Sequence, residues 1–509
     1  MKYVINSEQA KAVDTYTINE IGIPSLVLME RAAVSVVQEI EKKITNTDKV
    51  LCVCGVGNNG GDGIAVARIL HQKGYTVCCQ MVGNLEKSST DNIKQRQIAE
   101  KMGVSFVNNR NLQEYTIIVD AIFGIGLSRE VSGVFAEWIK QINQLHAYVY
   151  AIDLPSGIHT DTGQIMGCAV RADTTVTFGY RKLGSVYYPG AEHAGMVVVT
   201  DIGFAKEYEK YFTHYTYEKE DIKKYMPKRA AYSNKGTFGK VLVIAGSNNM
   251  AGACYLSAYA AYEMGAGLVK VITPKENRTI IQQLLPEAVL HTYDIEHIER
   301  QKNELIQDIK DARAIVVGPG MGVNVASENL LDWVFHETDV PTVIDADAIQ
   351  ILAGRQKEIP KFDGKKLKWM LRENMIITPH LKEMADLLGD KKHLLSMQNQ
   401  QLDIREIASE NENILVLKDA RTLVVQKEKC YINLSGNSGM ATAGAGDVLT
   451  GIVLGLLAQK VEPYMAATLG VYIHGIAGEE AAKKKGTYSV TARDLIAMLP
   501  KVLMQQEEM

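Results

Sequence analysis

Two glycine turns, Gly57-Asn58-Asn59-Gly60-Gly61-Asp62-Gly63 and Thr442-Ala443-Gly444-Ala445-Gly446-Asp447, stand towards opposite ends of the 509-residue chain, and each carries an acid. Each follows an apolar or small-residue stretch and opens a helical pattern, so each can aim unpaired backbone N–H groups at an anion. The separation predicts two sites on two domains, both suited to phosphate-bearing ligands. A chain of this length exceeds one ordinary core, which agrees with more than one domain.

From residue 49 to about 200 short apolar runs alternate with amphipathic stretches: strands at 50–54, 75–82, 116–120 and 148–152, and helices at 62–72, 90–101 and 135–144. Such alternation predicts parallel strands joined by right-handed crossovers, a doubly wound, Rossmann-like α/β domain of three layers. Ligands bind such sheets at the carboxyl ends of strands, where 55–63, Asp120 to Gly126 and Asp153 to Gly157 all fall. The rhythm breaks at 205–228, rich in Lys, Glu and Tyr, and divides the chain at 1–215 and 216–509. A second α/β series follows, with strands at 240–245, 268–273, 314–318, 342–345, 375–378 and 414–418 and a helix at 251–265. A closing helix at 446–458 buries Val448, Leu449, Ile452, Val453, Leu456 and Leu457 on one face.

Composition narrows the partners. With 22% charged residues and a net charge of −4 there is no electrostatic case for nucleic acid. Neither a leader segment nor an 18-residue apolar run is visible, so no membrane partner and a cytoplasmic location are expected. Seven cysteines without a C-x-x-C pair disfavour structural zinc and a disulfide framework.

Gly55-Val56-Gly57-Asn58-Asn59-Gly60 satisfies G-x-G-x-x-G, but no acid closes the second strand to take a ribose. Asp62 reads either as a charge complementing a helix N-terminus or as a ligand contact. Asp120 and Asp153 end adjacent strands, and carboxylates clustered beside a glycine loop favour a site. A hard cation on the oxygens of Asn58, Asp120 and Ser156 would resolve their repulsion.

These residues resemble the N-terminal domain of the bifunctional NAD(P)H-hydrate repair enzymes, whose motifs read G-N-N-G-G-D-G, D-x-x-F-G-x-G-L-S-R and D-x-P-S-G. The resemblance spans roughly residues 1–210. It implies an epimerase interconverting the R and S hydrates of NADH and NADPH, NADHX and NADPHX, at C6 of the nicotinamide. Gly57, Asn58, Asn59, Gly60 and Gly61 would then hold the dinucleotide together with Gly124, Ile125, Gly126, Leu127, Ser128, Arg129 and Glu130. Asp153 would contact the substrate and act as acid or base, and Asn58, Asp120 and Ser156 would bind potassium. The same domain type also resembles an mRNA-decapping scaffold, so a non-catalytic binding role stands as the alternative for this half.

The second turn lacks G-K-[ST] and is no Walker A loop. With Lys235-Gly236-Thr237-Phe238-Gly239, Gly318-Pro319-Gly320-Met321-Gly322, Asp345-Ala346-Asp347-Ala348 and Thr378-Pro379-His380-Leu381-Lys382-Glu383 it resembles the ribokinase-like, ADP-dependent NAD(P)H-hydrate dehydratase domain over about 225–500. The resemblance implies Asp447 as catalytic base, the S hydrate against Ala253, Gly322, His380 and Asp447, and ADP against Lys418, Asp419, Ala420, Arg421, Thr422 and Gly446. On its own His380 reads as a capping or core histidine; the motif makes it a substrate contact. Magnesium is expected with ADP, held through water by Asp345 or Glu383. The family usually reads L-K-G where this chain has Leu417-Lys418-Asp419-Ala420, which leaves nucleotide preference open. The partners expected are the hydrates and ADP, with a homo-oligomer. The competing reading is a ribokinase-like small-molecule kinase fused to a non-catalytic binding module.

Overall fold

A computed structural model of the chain describes residues 1–108, 112–357, 371–389 and 412–507. It divides into a unit of Lys2–His214 and a unit of Tyr215–Met509, which Met1 joins. Both are α/β units built on mainly parallel sheets, as the alternating pattern predicts.

The first unit opens with β1 (Lys2–Ile5) and two helices, α1 (Ser7–Asn19) and α2 (Ser25–Glu41). Asn6 and Gln9 close α1 in a reciprocal capping box. Then follow β2 (Lys49–Cys54), α3 (Asn58–Gln72), β3 (Thr76–Met81), α4 (Thr90–Lys101), β4 (Ser105–Phe106), β5 (Ile117–Ala121), α5 (Gly133–Ile142) and β6 (Tyr148–Ile152). The last elements are β7 (Thr174–Phe178), β8 (Arg181–Lys182), α6 (Gly190–Ala194) and β9 (Met196–Thr200).

Seven strands form one sheet in the order β4-β3-β2-β5-β6-β7-β9, parallel throughout. The order reverses between β2 and β5, and the crevice at their carboxyl ends is where such sheets take ligands. Alternation along β2 explains the two-sided core. Val50, Cys52 and Cys54 pack with α2 and α3, whereas Leu51 and Val53 pack with Trp138, Ile139 and Ile142 of α5. Outside this sheet β1 pairs in parallel with β8, setting Ile5 opposite Lys182.

A short strand, β10 (His214–Thr216), spans the division, and α7 (Lys219–Tyr225) follows. The second unit then runs β11 (Lys240–Ile244), α8 (Ala251–Glu263), β12 (Leu268–Pro274), α9 (Arg278–Leu284), β13 (Val289–Tyr293), α10 (Lys302–Lys310), β14 (Ala314–Val317), α11 (Val325–Glu337), β15 (Thr342–Ile344), α12 (Asp347–Lys357), β16 (Met375–Ile377) and α13 (Leu381–Leu387). It closes with β17 (Ile414–Leu417), β18 (Leu423–Gln426), β19 (Lys429–Ile432) and the helices Ala445–Ala458, Pro463–Lys485 and Ala492–Glu507.

Within this unit the strands lie in the order β13-β12-β11-β14-β15-β16-β17-β18-β19, parallel as far as β17 and antiparallel beyond. The helix Ala445–Ala458 buries the six expected residues and also Thr450, Gly451, Leu454, Gly455 and Ala458. It is covered all round because α8, the sheet and the 23-residue helix Pro463–Lys485 pack against it together. Among the described residues, no helix is long and apolar enough to cross a membrane.

Candidate functional site

In the first unit the glycine turn and the helix are one object. The helix α3 begins at Asn58 with Gly57 as its N-cap, so Asn58, Asn59, Gly60 and Gly61 form its first turn and Asp62 lies on the second. The sequence pattern places the helix start at residue 62 because glycines disfavour helix interiors; here close packing demands them. A Cβ on Gly60 would lie 1.9 Å from the carbonyl oxygen of Gly55. Gly61 N donates to Gly57 O at 3.1 Å, whereas the N–H groups of Asn58, Asn59 and Gly60 come before the helix's first acceptor.

Asn92, on α4, secures the turn. It is fully buried, and its side-chain amide donates to the carbonyl oxygens of Gly55 and Gly57, both at 3.0 Å. Asn59 Nδ2 donates to Phe123 O at 3.0 Å and ties the turn to the loop after β5.

A cavity of about 720 Å³ opens at these strand ends. Gly57, Asn58, Asn59, the loop from Gly124 through Ile125, Gly126, Leu127 and Ser128 to Arg129, and Asp153 all line it. Gly60, Gly61 and Glu130 do not: the two glycines are buried behind the turn and Glu130 is exposed. Lys11, Asp14, Asp62 and Lys182 complete its charged lining.

Asp153 has a left-handed backbone, φ 66°, uncommon for a residue with a side chain. Its Oδ1 accepts from Lys182 Nζ at 2.5 Å, Thr177 Oγ1 at 3.0 Å and Phe178 N at 3.2 Å. Lys182, only 3% exposed, is absent from every motif above. Burial, and then the charge of Asp153, pushes the carboxyl of Asp62 well above the usual range. Asp14 is raised by the same two causes.

The structure brings Asp120 and Ser156 together. Ser156 donates from Oγ to Asp120 Oδ1 at 2.6 Å and from N to Oδ2 at 2.8 Å, while Phe123 N donates to Ser156 Oγ at 2.8 Å. Asp120 is fully buried, and burial lifts its pKa to about 6 against those hydrogen bonds. Among the described residues no cationic side chain pairs with it. A buried carboxyl without a countercharge, among the oxygens of Ser156 and the Phe123 carbonyl, fits a hard monovalent cation.

In the second unit the sequence-predicted residues gather at the carboxyl ends of β14 to β17. Asp345 follows β15, and its Oδ1 accepts from Thr378 Oγ1 and Lys418 Nζ, each at 2.7 Å. Lys418 follows β17. Burial works against its charge, but Asp345 and Glu383 outweigh burial and its pKa ends raised. A Cβ on Gly446 would lie 3.5 Å from Lys418 Nζ and 3.8 Å from Asp345 Oδ2, so the ion pair faces the start of the helix Ala445–Ala458.

Asp447 sits in the first turn of that helix behind Gly444, the left-handed N-cap. Burial raises its carboxyl to about 7; Asp345 and Asp347 push the same way and Lys418 opposes them. It is thus a carboxyl that titrates near neutrality beside a fixed cation and a helix N-terminus. Such a group can take a proton from a hydroxyl while the helix start receives a phosphoryl group.

The remaining predicted residues take several roles. Gly322 N donates to Asp347 Oδ2 at 2.8 Å, and a Cβ on neighbouring Gly320 would lie 2.9 Å from Ala253 Cβ. His380 caps α13: Nδ1 accepts from Lys382 N and Glu383 N at 3.2 and 3.1 Å, and Glu383 Oε2 accepts from His380 N at 2.9 Å. Its imidazole is half exposed, and Nε2 lies 3.5 Å from Glu383 Oε1. Asp419 and Ala420 are exposed and Arg421 and Thr422 half-buried in the turn joining β17 to β18, where Thr422 Oγ1 donates to Asp419 O.

His474, on Pro463–Lys485, lies outside every motif. Its Nε2 is buried with no hydrogen-bond partner among the described residues, and burial holds the ring near pKa 4, hence neutral. No sequence signal marks it, since that helix is buried on nearly every face.

Comparison with known proteins yields two family matches. Residues 241–501 match the family described as NAD(P)H-hydrate dehydratase, and residues 25–184 match the YjeF-related protein N-terminus. A bifunctional NAD(P)H-hydrate repair enzyme of Moorella thermoacetica is 35% identical over 532 residues, covering 99% of this chain and 97% of that protein. The enzyme of the same description from Coxiella burnetii is 34% identical, covering 94% and 95%. An NAD(P)H-hydrate epimerase of Oenococcus oeni is 52% identical over 201 residues, 39% of this chain and 96% of that protein.

Proposed function

This chain belongs to the family of bifunctional NAD(P)H-hydrate repair enzymes, and on that premise we propose a division of labour between its two sites. The Lys2–His214 unit epimerises the R and S hydrates of NADH and NADPH, and the Tyr215–Met509 unit dehydrates the S hydrate at the expense of ADP. The observation that carries the reading is the near-neutral carboxyl of Asp447 at a helix start faced by Lys418.

Hydroxide is a poor leaving group from C6. Asp447 takes the proton of the C6 hydroxyl as its oxygen attacks the β-phosphorus of ADP, and AMP departs with the electron pair of the broken P–O bond. The N–H groups of the 445–458 helix start and the Lys418 ammonium stabilise the charge on the transferred group. Phosphate then leaves C6, a proton is lost from C5, and the nicotinamide double bond returns. Magnesium, when bound with ADP, would neutralise phosphate charge. The buried carboxyl of Asp345 and the half-buried one of Glu383 suit its water shell. In this reading His380, Ala253 and Gly322 contact the hydrate, and the Asp419–Thr422 turn contacts the nucleotide.

In the first unit the dinucleotide lies against the Asn58–Asn59 turn and the 124–129 loop. The C6–O bond breaks as the hydroxyl gains a proton from solvent and leaves as water, with the N1 lone pair filling the vacancy. Water then adds from the opposite face and gives its proton to Asp153. Asn58, Asp120 and Ser156 would hold potassium, which would offset the buried charge of Asp120. None of the seven cysteines forms a disulfide, in keeping with a reducing, cytoplasmic compartment.

Feeding the S hydrate with Mg-ADP tests the reading against a small-molecule kinase. Stoichiometric AMP, phosphate and reduced nucleotide are expected. A phosphorylated hydrate that accumulates without elimination would replace the dehydratase by a kinase.

A further inference from the structure

The charged side chains lining the 720 Å³ cavity are unevenly paired. Three carboxyls line it, Asp14, Asp62 and Asp153, and only Asp153 has a cation within ion-pair distance among the described residues. That cation, Lys182, has nothing left to offer a ligand. Its three N–H groups go to Asp153 Oδ1 at 2.5 Å, Phe178 O at 2.9 Å and Thr177 Oγ1 at 3.0 Å. Asp153 is correspondingly one-sided: Oδ1 takes Lys182, Thr177 and Phe178, whereas Oδ2 takes no hydrogen bond from the described residues.

We propose that Lys182 is a positioning residue for epimerisation: it fixes the Asp153 carboxylate through Oδ1 and leaves Oδ2 as the single oxygen presented to the substrate. The inference rests on the epimerase reading of this cavity. The pairing of β8 with β1 sets Lys182 opposite Ile5, and with all three N–H groups spent the lysine acts through Asp153 rather than on the dinucleotide phosphates. A lysine with an incomplete set of acceptors would do the opposite and bind the anion itself.

Steady-state epimerisation by the full chain, with the hydrate varied, separates these roles. Wild-type turnover is measured first, and its absence would end the epimerase reading rather than this inference. Given turnover, Lys182→Met should lower kcat by about 100-fold or more, the range for losing a general base, with KM within about threefold. In an Asp153→Asn background, Lys182→Met should lower the residual rate no further, because the lysine has lost the group it acts through.

A KM raised about tenfold with kcat retained would make Lys182 a ligand-binding lysine and overturn the proposal. So would a further loss of rate in the Asp153→Asn background. Should Lys182→Met fail to fold, with the carboxylate stranded, Thr177→Val decides. That variant keeps both charges and removes one shared hydrogen-bond partner, so kcat should fall about threefold to tenfold. Unchanged kcat there would overturn the proposal.

Discussion

Replacing Asp447 by asparagine should abolish dehydration and stabilise the second unit at alkaline pH. The carboxyl is raised from 3.8 to about 7, first by burial and then by Asp345, so the folded chain binds its proton more tightly than the unfolded chain. The stability this provides is complete below about pH 4 and is lost as pH rises towards about 7. Asparagine cannot ionise and escapes that loss. A shift of about three units at ~1.4 kcal/mol each sets a ceiling of about 4 kcal/mol. The side chain is partly exposed, and water screening halves that to about 2 kcal/mol. At roughly 2 °C per kcal/mol for a unit of this size, the variant should melt about 4 °C above wild type near pH 8 and level with it near pH 4. Calorimetry of both chains at the two pH values is the assay. An Asp447→Asn chain that melts lower near pH 8, or whose advantage is the same near pH 4, would refute the claim that the surroundings raise this carboxyl towards neutrality.

The same group sets a rate profile. Dehydration kcat/KM should rise about tenfold between about pH 6 and pH 8 as the base form appears, and Lys418→Met should move that limb upward by removing the opposing charge. Initial rates across this range check both. Gly444→Ala should lose dehydration and about 1–2 kcal/mol of stability in urea unfolding, since φ is +86° and a Cβ would lie 2.6 Å from Leu256 Cδ1. Asp120→Asn should raise the potassium concentration for half-maximal epimerisation by about tenfold or more, because it removes the one buried negative charge among the proposed ligands. An unchanged potassium response would exclude that site.

The strands and the strand-end acids were legible because β-branched, apolar runs separated by amphipathic helices admit few other arrangements. Asp120, Asp153 and Asp345 each stand just past such a run. The residues that orient them were not. Lys182 reaches Asp153 from 29 positions away through the β1–β8 pairing, and a lone lysine after an arginine carries no local signal. Asn92 reads as an ordinary residue of a helix first turn, yet its amide secures a turn that begins 37 positions earlier. The helix Pro463–Lys485 escaped because small residues cover nearly all its faces, leaving no polar stripe to set a period. The β18–β19 hairpin turns on Lys427-Glu428, with Lys427 at φ 51°, where a glycine or asparagine would have announced it. The start of α3 was displaced because glycines there answer to packing rather than to helix propensity.

The central claim is that two independent sites on one chain complete a single repair. Its most direct test follows the reduced-nicotinamide absorbance after the full chain and Mg-ADP are added to a mixture of R and S NADH hydrates in potassium buffer. Recovery of the whole mixture is predicted, with AMP formed in equal amount; recovery that halts at the S fraction would contradict an active first site, and no recovery would contradict the second.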